Sequence, residues 1–176
     1  MAADLTLVLG GARSGKSRFA EGLVTALPGP WVYIATAQAF DAEMVQRIAH
    51  HRASRVPGWE TVEAPLDLPG AIDVAAGRPV LVDCLTLWLS NLLLADRDIA
   101  AATADLTAAL ARAAAPVVLV ANEVGLGIVP DNALARRFRD EAGRLHQHLA
   151  ARADRVVFTV AGLPLAVKGV LPDKGG

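Results

Sequence analysis

The sequence predicts an α/β fold with a mostly parallel central sheet flanked by helices, and three observations carry that expectation. Short β-branched runs alternate with longer alanine- and leucine-rich segments, the order produced by parallel strands joined through crossover helices. Several of the runs are continuously apolar, as strands are when both faces of the sheet are covered. The first run leads through a glycine-rich turn directly into a helical segment. In order, the expected strands are Leu5 to Leu9, Trp31 to Thr36, Val80 to Asp83, Val117 to Ala121 and Val156 to Val160, with Trp59 to Glu63 as a shorter additional one. The expected helices are Ser17 to Ala26, Asp41 to Arg55, Leu68 to Ala76, Leu85 to Leu94, Ile99 to Ala114 and Asn132 to Arg152. Pro28-Gly29-Pro30 and Val56-Pro57-Gly58 read as turns, and no repeat or linker divides the chain. At 176 residues, one domain spanning 1–176 is expected.

Composition excludes several classes of function. With 53% hydrophobic and 20% charged residues, the chain has ample material for a packed core and is not a disordered one. Seventeen basic side chains against eighteen acidic ones give a net charge of −1, so no global field draws the protein to nucleic acid or anionic lipid. The single cysteine, Cys84, rules out an intramolecular disulfide and any multi-cysteine zinc site. The start of the chain lacks the basic segment of a secretory signal. The apolar stretch Cys84 to Ala95, interrupted by Thr86, Ser90 and Asn91, is shorter than the roughly 20 residues of a membrane span. A cytoplasmic protein without a membrane span is the expectation.

The strongest motif is Gly10-Gly11-Ala12-Arg13-Ser14-Gly15-Lys16-Ser17, which satisfies G-x-x-x-x-G-K-[ST] after a strand and before a helix. Glycines let the backbone curl so that successive N–H groups point at phosphate oxygens, and the following helix adds its positive end. The expected fold is therefore a P-loop nucleotide-binding fold. Lys16 would reach the β- and γ-phosphates and Ser17 would bind Mg2+. Only three lysines stand against fourteen arginines, so a lysine here suggests a compact ammonium that a planar guanidinium would not replace. The plain alternative is a glycine-rich turn without a ligand. Asp83, ending the apolar strand Val80-Leu81-Val82, is the candidate magnesium-organising carboxylate. It could equally cap the helix starting at Leu85, and the two roles can coexist.

Phosphate binding alone leaves kinases, hydrolases and switches open. On a helix starting near Asp41, Met44, Ile48 and His51 share one apolar stripe, whereas Glu43, Arg47, His50 and Ser54 share a polar one. His50 is therefore the histidine placed to offer a free imidazole to a ligand, and His51 the one placed to pack. His146 and His148, two apart on a helix, cannot face each other. Asn122 to Pro130 follows an apolar strand and carries Gly125 and Gly127, a composition suited to close approach to a ligand or to a plain crossover connection. Such a loop belongs at the C-terminal edge of the sheet.

From about residue 5 to Lys168 the chain resembles the bifunctional adenosylcobinamide kinase/adenosylcobinamide-phosphate guanylyltransferase family of cobalamin biosynthesis. The resemblance rests on the phosphate loop, Tyr33-Ile34-Ala35-Thr36, Asp41-Ala42-Glu43-Met44, Arg47-Ile48 with His50-His51-Arg52, Trp59-Glu60-Thr61-Val62-Glu63, and Val82-Asp83-Cys84-Leu85-Thr86. It extends to Asn122-Glu123-Val124-Gly125-Leu126-Gly127-Ile128-Val129-Pro130, which with the paired histidines is the most specific part. Ala37 stands where some relatives carry a hydroxyl residue, and Leu171 to Gly176 forms a short tail with no assigned role.

The resemblance implies two reactions. In the first, a nucleoside triphosphate, ATP or GTP, phosphorylates the aminopropanol hydroxyl of adenosylcobinamide. In the second, a histidine takes GMP from GTP, releases pyrophosphate and passes GMP to adenosylcobinamide phosphate, giving adenosylcobinamide-GDP. The guanylylated position falls on His50, and Lys16 is the second catalytic candidate. The nucleotide contacts implied fall on Gly10, Gly11, Ala12, Arg13, Ser14, Gly15, Lys16, Ser17 and Arg18 of the phosphate loop, on Ala35, Thr36 and Ala37, on His51, Arg52, Ala53 and Ser54, and on Glu63 and Asp83. Glu63, whose carboxylate accepts two hydrogen bonds, suits the guanine N1–H and 2-amino group; otherwise it is an ordinary strand-end acid. The resemblance also implies a homo-oligomer, a trimer being the expected form. A small-molecule kinase without guanylylation and a nucleotide-dependent switch protein are the competing readings.

Overall fold

The computed structural model describes residues 3–38, 45–46, 49, 53 and 55–172. The described residues form seven strands: β1 (Leu5–Gly10), β2 (Trp31–Ala35), β3 (Trp59–Glu63), β4 (Val80–Asp83), β5 (Val117–Asn122), β6 (Arg155–Val160) and β7 (Leu163–Lys168). The helices among the described residues are α1 (Lys16–Thr25), α2 (Leu68–Val74), α3 (Leu85–Leu94), α4 (Ile99–Arg112) and α5 (Ala133–Arg152). The sheet order is β3-β2-β4-β5-β1-β6-β7; every neighbouring pair is parallel except β6 and β7. No described helix is long and apolar enough to cross a membrane.

The central strands are apolar throughout because both faces are covered. On one face Leu7, Ile34, Val82 and Leu119 pack with Leu85, Trp88, Leu106 and Leu149 from the helices beyond β3. On the other, Val8, Tyr33, Leu81 and Val120 meet Ala20 and Val24 of α1. A leucine fully buried in this way contributes about 1.5–3 kcal/mol. Side chains cap three helix starts: Asp67 accepts from Gly70 N–H, Asp98 from Ala101 N–H and Asn132 from Ala135 N–H. Helix α3 starts differently. Its cap residue is Cys84, with no side-chain cap bond, so Asp83 does not serve as the N-cap.

Register aligns the strand ends that matter. Ala35 pairs with both Glu63 and Asp83, which sets these three residues in one row at the C-terminal edge; the row continues through Val120 to Val8, and the Gly10–Asn122 pair lies two residues beyond it. Two outcomes differ from the expected elements. Of the expected helix Asp41 to Arg55, Val45, Gln46, Ala49 and Ala53 are helical, and its remaining residues before Arg55 lie outside the described set. Strand β7 was not anticipated: the chain turns at Ala161 and Gly162, both at positive φ (50° and 78°), and returns antiparallel to β6. Paired positive-φ residues are the two-residue hairpin geometry, and Pro164 is tolerated because β7 is an edge strand.

Candidate functional site

The phosphate loop is assembled at the end of β1. Arg13 (φ 55°) and Gly15 (φ 90°) take left-handed conformations that curl the chain, and Ser14 N–H donates to Gly11 O at 3.3 Å. Lys16 Nζ donates to Gly11 O at 3.1 Å, so the ammonium lies over the loop. The β6–β7 turn braces the loop from behind: Gly162 N–H donates to Ser14 O at 2.8 Å, and a Cβ on Gly15 would lie 3.0 Å from Gly162 Cα. Ser14 Oγ and Thr159 Oγ1, both buried in this wall, have no hydrogen-bond partner among the described residues. Ser17 is half-buried, while Ala12, Arg13 and Arg18 are exposed.

Asp83 lies on the α1 side of the sheet, two residues after Leu81, and its Oδ2 accepts from the Tyr33 hydroxyl at 2.9 Å. Burial, reinforced by the neighbouring Asp83 carboxylate, pushes the Tyr33 phenol far above its ordinary value, so it stays a hydrogen-bond donor. The Arg55 guanidinium stacks 3.4 Å from the centre of the Tyr33 ring and donates to Thr61 Oγ1 at 3.2 Å.

A buried polar network fixes the strand ends around these groups. Thr36 Oγ1 donates to Cys84 O at 2.7 Å and accepts from Cys84 N–H at 2.8 Å, joining the ends of β2 and β4. Asn91 on α3 donates through Nδ2 to Thr36 O (2.8 Å) and Pro65 O (2.9 Å), tying together the turns that follow β2 and β3. Thr86 Oγ1 accepts from Asn122 N–H and Nδ2, at 3.2 and 3.1 Å. Cys84 belongs to this interior: burial first, then the Asp83 charge, push its thiol up, leaving it an unreactive core group.

Sequence reasoning thus named residues that the fold brings to one edge: the phosphate loop, Ala35 and Thr36, Glu63 and Asp83. Glu63 is exposed at the end of β3, four strand positions from β1, or roughly 19 Å at ordinary sheet spacing. Ala37 is half-buried just beyond Thr36, and Ala53 is exposed and helical. His50, His51, Arg52 and Ser54 lie outside the described residues. The loop after β5 is at the expected C-terminal edge: Glu123 N–H donates to Gly10 O at 2.9 Å, and Leu126 and Ile128 are 82% and 97% exposed. His146 is buried and His148 accepts or donates at Thr107 Oγ1 (2.9 Å), two separate environments.

Tyr33, Arg55, Asn91 and Gly162 were not singled out for a role. Asn91 was legible only as a polar interruption of an apolar helix. Two cavities of about 750 and 740 Å3 lie between α4 and α5 and along α1, away from the Glu63–Ala35–Asp83 row.

The donor set suits a hard cation. Asp83 and the Ser17 hydroxyl offer oxygen, and no group of three or more His, Cys, Asp or Glu side chains among the described residues forms a protein cage. Magnesium in nucleotide enzymes is held in this way, by one or two protein oxygens together with phosphates and water.

Residues 6–167 match the family described as Cobinamide kinase / cobinamide phosphate guanyltransferase. The chain is 53% identical over 167 residues to the Bifunctional adenosylcobalamin biosynthesis protein CobP of Pseudomonas aeruginosa, covering 93% of this chain and 96% of that protein. It is 45% identical over 181 residues to the Bifunctional adenosylcobalamin biosynthesis protein CobU of Salmonella typhimurium, covering 93% and 99%. A solved structure from Pyrococcus horikoshii OT3 shares the fold alone, with 10% identity, a TM-score of 0.53, and coverage of 96% of this chain and 87% of that one. Matched to the family over residues 6–167 and 53% and 45% identical to these two relatives over nearly its whole length, this chain belongs to the cobinamide kinase / cobinamide phosphate guanyltransferase family.

Proposed function

We propose that this chain phosphorylates adenosylcobinamide with a nucleoside triphosphate and then converts the product to adenosylcobinamide-GDP. The observation that carries the reading is the assembled phosphate loop, with Lys16 folded over it and Asp83 held at the same sheet edge, in a member of this family. In the kinase step the aminopropanol hydroxyl oxygen attacks the γ-phosphorus, the bond to the β-phosphate oxygen breaks, and the hydroxyl proton is released. In the second, an imidazole nitrogen of His50 attacks the α-phosphorus of GTP and pyrophosphate leaves. An oxygen of adenosylcobinamide phosphate then attacks the same phosphorus and frees His50.

Both transition states spread negative charge over phosphoryl oxygens. The loop N–H groups and the Lys16 ammonium stabilise that charge, and because Gly10, Gly15 and Gly162 hold the loop in place, little reorganisation is needed during reaction. The neutral imidazole supplies the nitrogen lone pair that attacks phosphorus. Magnesium, held by Ser17 and Asp83, would neutralise phosphate charge when bound. Glu63 reads guanine at the far end of the row, and Ala35 to Ala37 and His51 to Ser54 supply the remaining nucleotide contacts. A cytoplasmic homotrimer is the form we expect, and the exposed Leu126, Ile128 and Val129 supply apolar surface for subunit contact.

The test supplies purified protein with adenosylcobinamide, ATP and GTP and follows products by mass spectrometry. Adenosylcobinamide phosphate followed by adenosylcobinamide-GDP is expected. Accumulation of the phosphate without GMP transfer would leave a kinase alone, and nucleotide hydrolysis without corrinoid modification would favour a switch.

A further inference from the structure

Asp83 is oriented by a residue to which neither the phosphate-loop motif nor the family's nucleotide contacts assign a role. Tyr33 pairs with Leu81 across β2 and β4, so Asp83 is its diagonal neighbour on the same face, a separation that an aromatic side chain spans. The hydroxyl reaches Asp83 Oδ2 at 2.9 Å. The ring has little freedom to point elsewhere. It is 3% exposed, meets Trp59 edge-on at 5.8 Å, and carries the Arg55 guanidinium stacked at 3.4 Å. Arg55 is itself fastened to β3 through Thr61.

An aspartate can rotate about two side-chain torsions. A donor fixed on one oxygen selects one orientation of the carboxylate, as outer-shell hydrogen bonds do for metal ligands generally. We propose that Tyr33 is a positioning residue for Asp83: its clamped phenol holds Oδ2 so that the carboxylate is already set to organise the magnesium of the bound nucleotide. This rests on the metal role given to Asp83 above. Arg55 and Trp59 contribute by clamping the ring.

The test measures metal binding rather than turnover. Mn2+ is titrated into the full chain with the unreactive α,β-methylene analogue of GTP, and free Mn2+ is read by its paramagnetic resonance signal. Binding of the analogue without metal is measured in parallel by equilibrium dialysis with EDTA. Tyr33→Phe keeps the ring and its stacking partners and removes only the donor. It is expected to weaken Mn2+ about tenfold while changing metal-free analogue binding less than twofold. Asp83→Asn should weaken Mn2+ at least as much, and adding Tyr33→Phe to it should cost less than a further twofold.

If Asp83→Asn weakens Mn2+ but Tyr33→Phe does not, the carboxylate needs no such positioning and the inference is overturned. Equal loss of metal-free binding in Tyr33→Phe would overturn it too, by making the phenol a general structural element. Unchanged Mn2+ affinity in Asp83→Asn would remove the metal role of Asp83 first, and the inference with it.

Discussion

Two adjacent glycines in the phosphate loop should respond very differently to the same methyl group. A Cβ on Gly10 would lie 2.4 Å from Ser14 Oγ, 3.2 Å from Ser14 Cβ and 2.9 Å from the Thr159 carbonyl oxygen. The serine hydroxyl can rotate away, but Thr159 O belongs to strand β6, locked in register with Gly10 itself. Part of the clash must therefore be relieved by moving one strand against the other. Overpacking of this kind costs about 1–3 kcal/mol. In a chain of this size each kcal/mol shifts Tm by about 2–4 °C, so Gly10→Ala should melt about 2–12 °C below the unaltered protein. A Cβ on Gly11 meets nothing within 4 Å. Gly11→Ala should stay within about 2 °C, as an unobstructed substitution worth less than about 0.5 kcal/mol does. Differential scanning calorimetry without nucleotide isolates these packing effects from ligand binding. Adding Ser14→Gly to Gly10→Ala should recover part of the loss and not all, because the Thr159 contact remains. Equal shifts for the two alanine variants, or full recovery by Ser14→Gly, would refute the packing argument.

Three further outcomes follow from the site and its surroundings. Lys16→Ala should lower both corrinoid phosphorylation and GMP transfer by about 10²–10³-fold, the usual loss for a missing charge-stabilising donor; steady-state rates of the two half-reactions check it. Glu63→Gln should raise the Kd for GTP while leaving ATP nearly unchanged, because an amide cannot accept both guanine hydrogen bonds; equal changes would remove Glu63 from base reading. Burial lowers the pKa of His146, with Glu123 opposing it in part, so the unfolded chain takes up this proton first. The stability from neutral His146 is thus full above about pH 6.5 and lost as pH falls toward its folded pKa, and His146→Leu should flatten the decline of the urea midpoint from pH 7 to 5.5.

Which parts of this were legible in the sequence depends on whether the signal was local. The strands and helices of the parallel layer announce themselves by period and by capping residues such as Asp98 and Asn132. The phosphate loop is contiguous, and Asp83 ends an apolar run. Strand β7 was hidden because its turn, Ala161-Gly162, uses alanine at positive φ where asparagine or aspartate is the usual signal, and because its side chains Leu163, Leu165 and Val167 are exposed. Tyr33 and Asn91 were hidden for a different reason. Their partners, Asp83 for one and Thr36 with Pro65 for the other, are set by the order β3-β2-β4, which chain order does not reveal.

The proposed transfer of GMP requires a covalent guanylyl group on His50, and incubating the protein with α-labelled GTP and Mg2+ and counting label on denatured chain detects it. A phosphorus–nitrogen bond to imidazole survives alkali and hydrolyses in acid, unlike an ester on Ser14 or Ser17. The label should therefore be retained, should be acid-labile, and should be absent from His50→Asn, which still phosphorylates adenosylcobinamide because γ-phosphoryl transfer needs no histidine nucleophile. His51→Asn should label more slowly but still label. Label on His50→Asn together with its absence from His51→Asn would contradict the account by shifting the nucleophile one residue onto the apolar stripe, and no retained label on the unaltered protein would contradict covalent catalysis altogether.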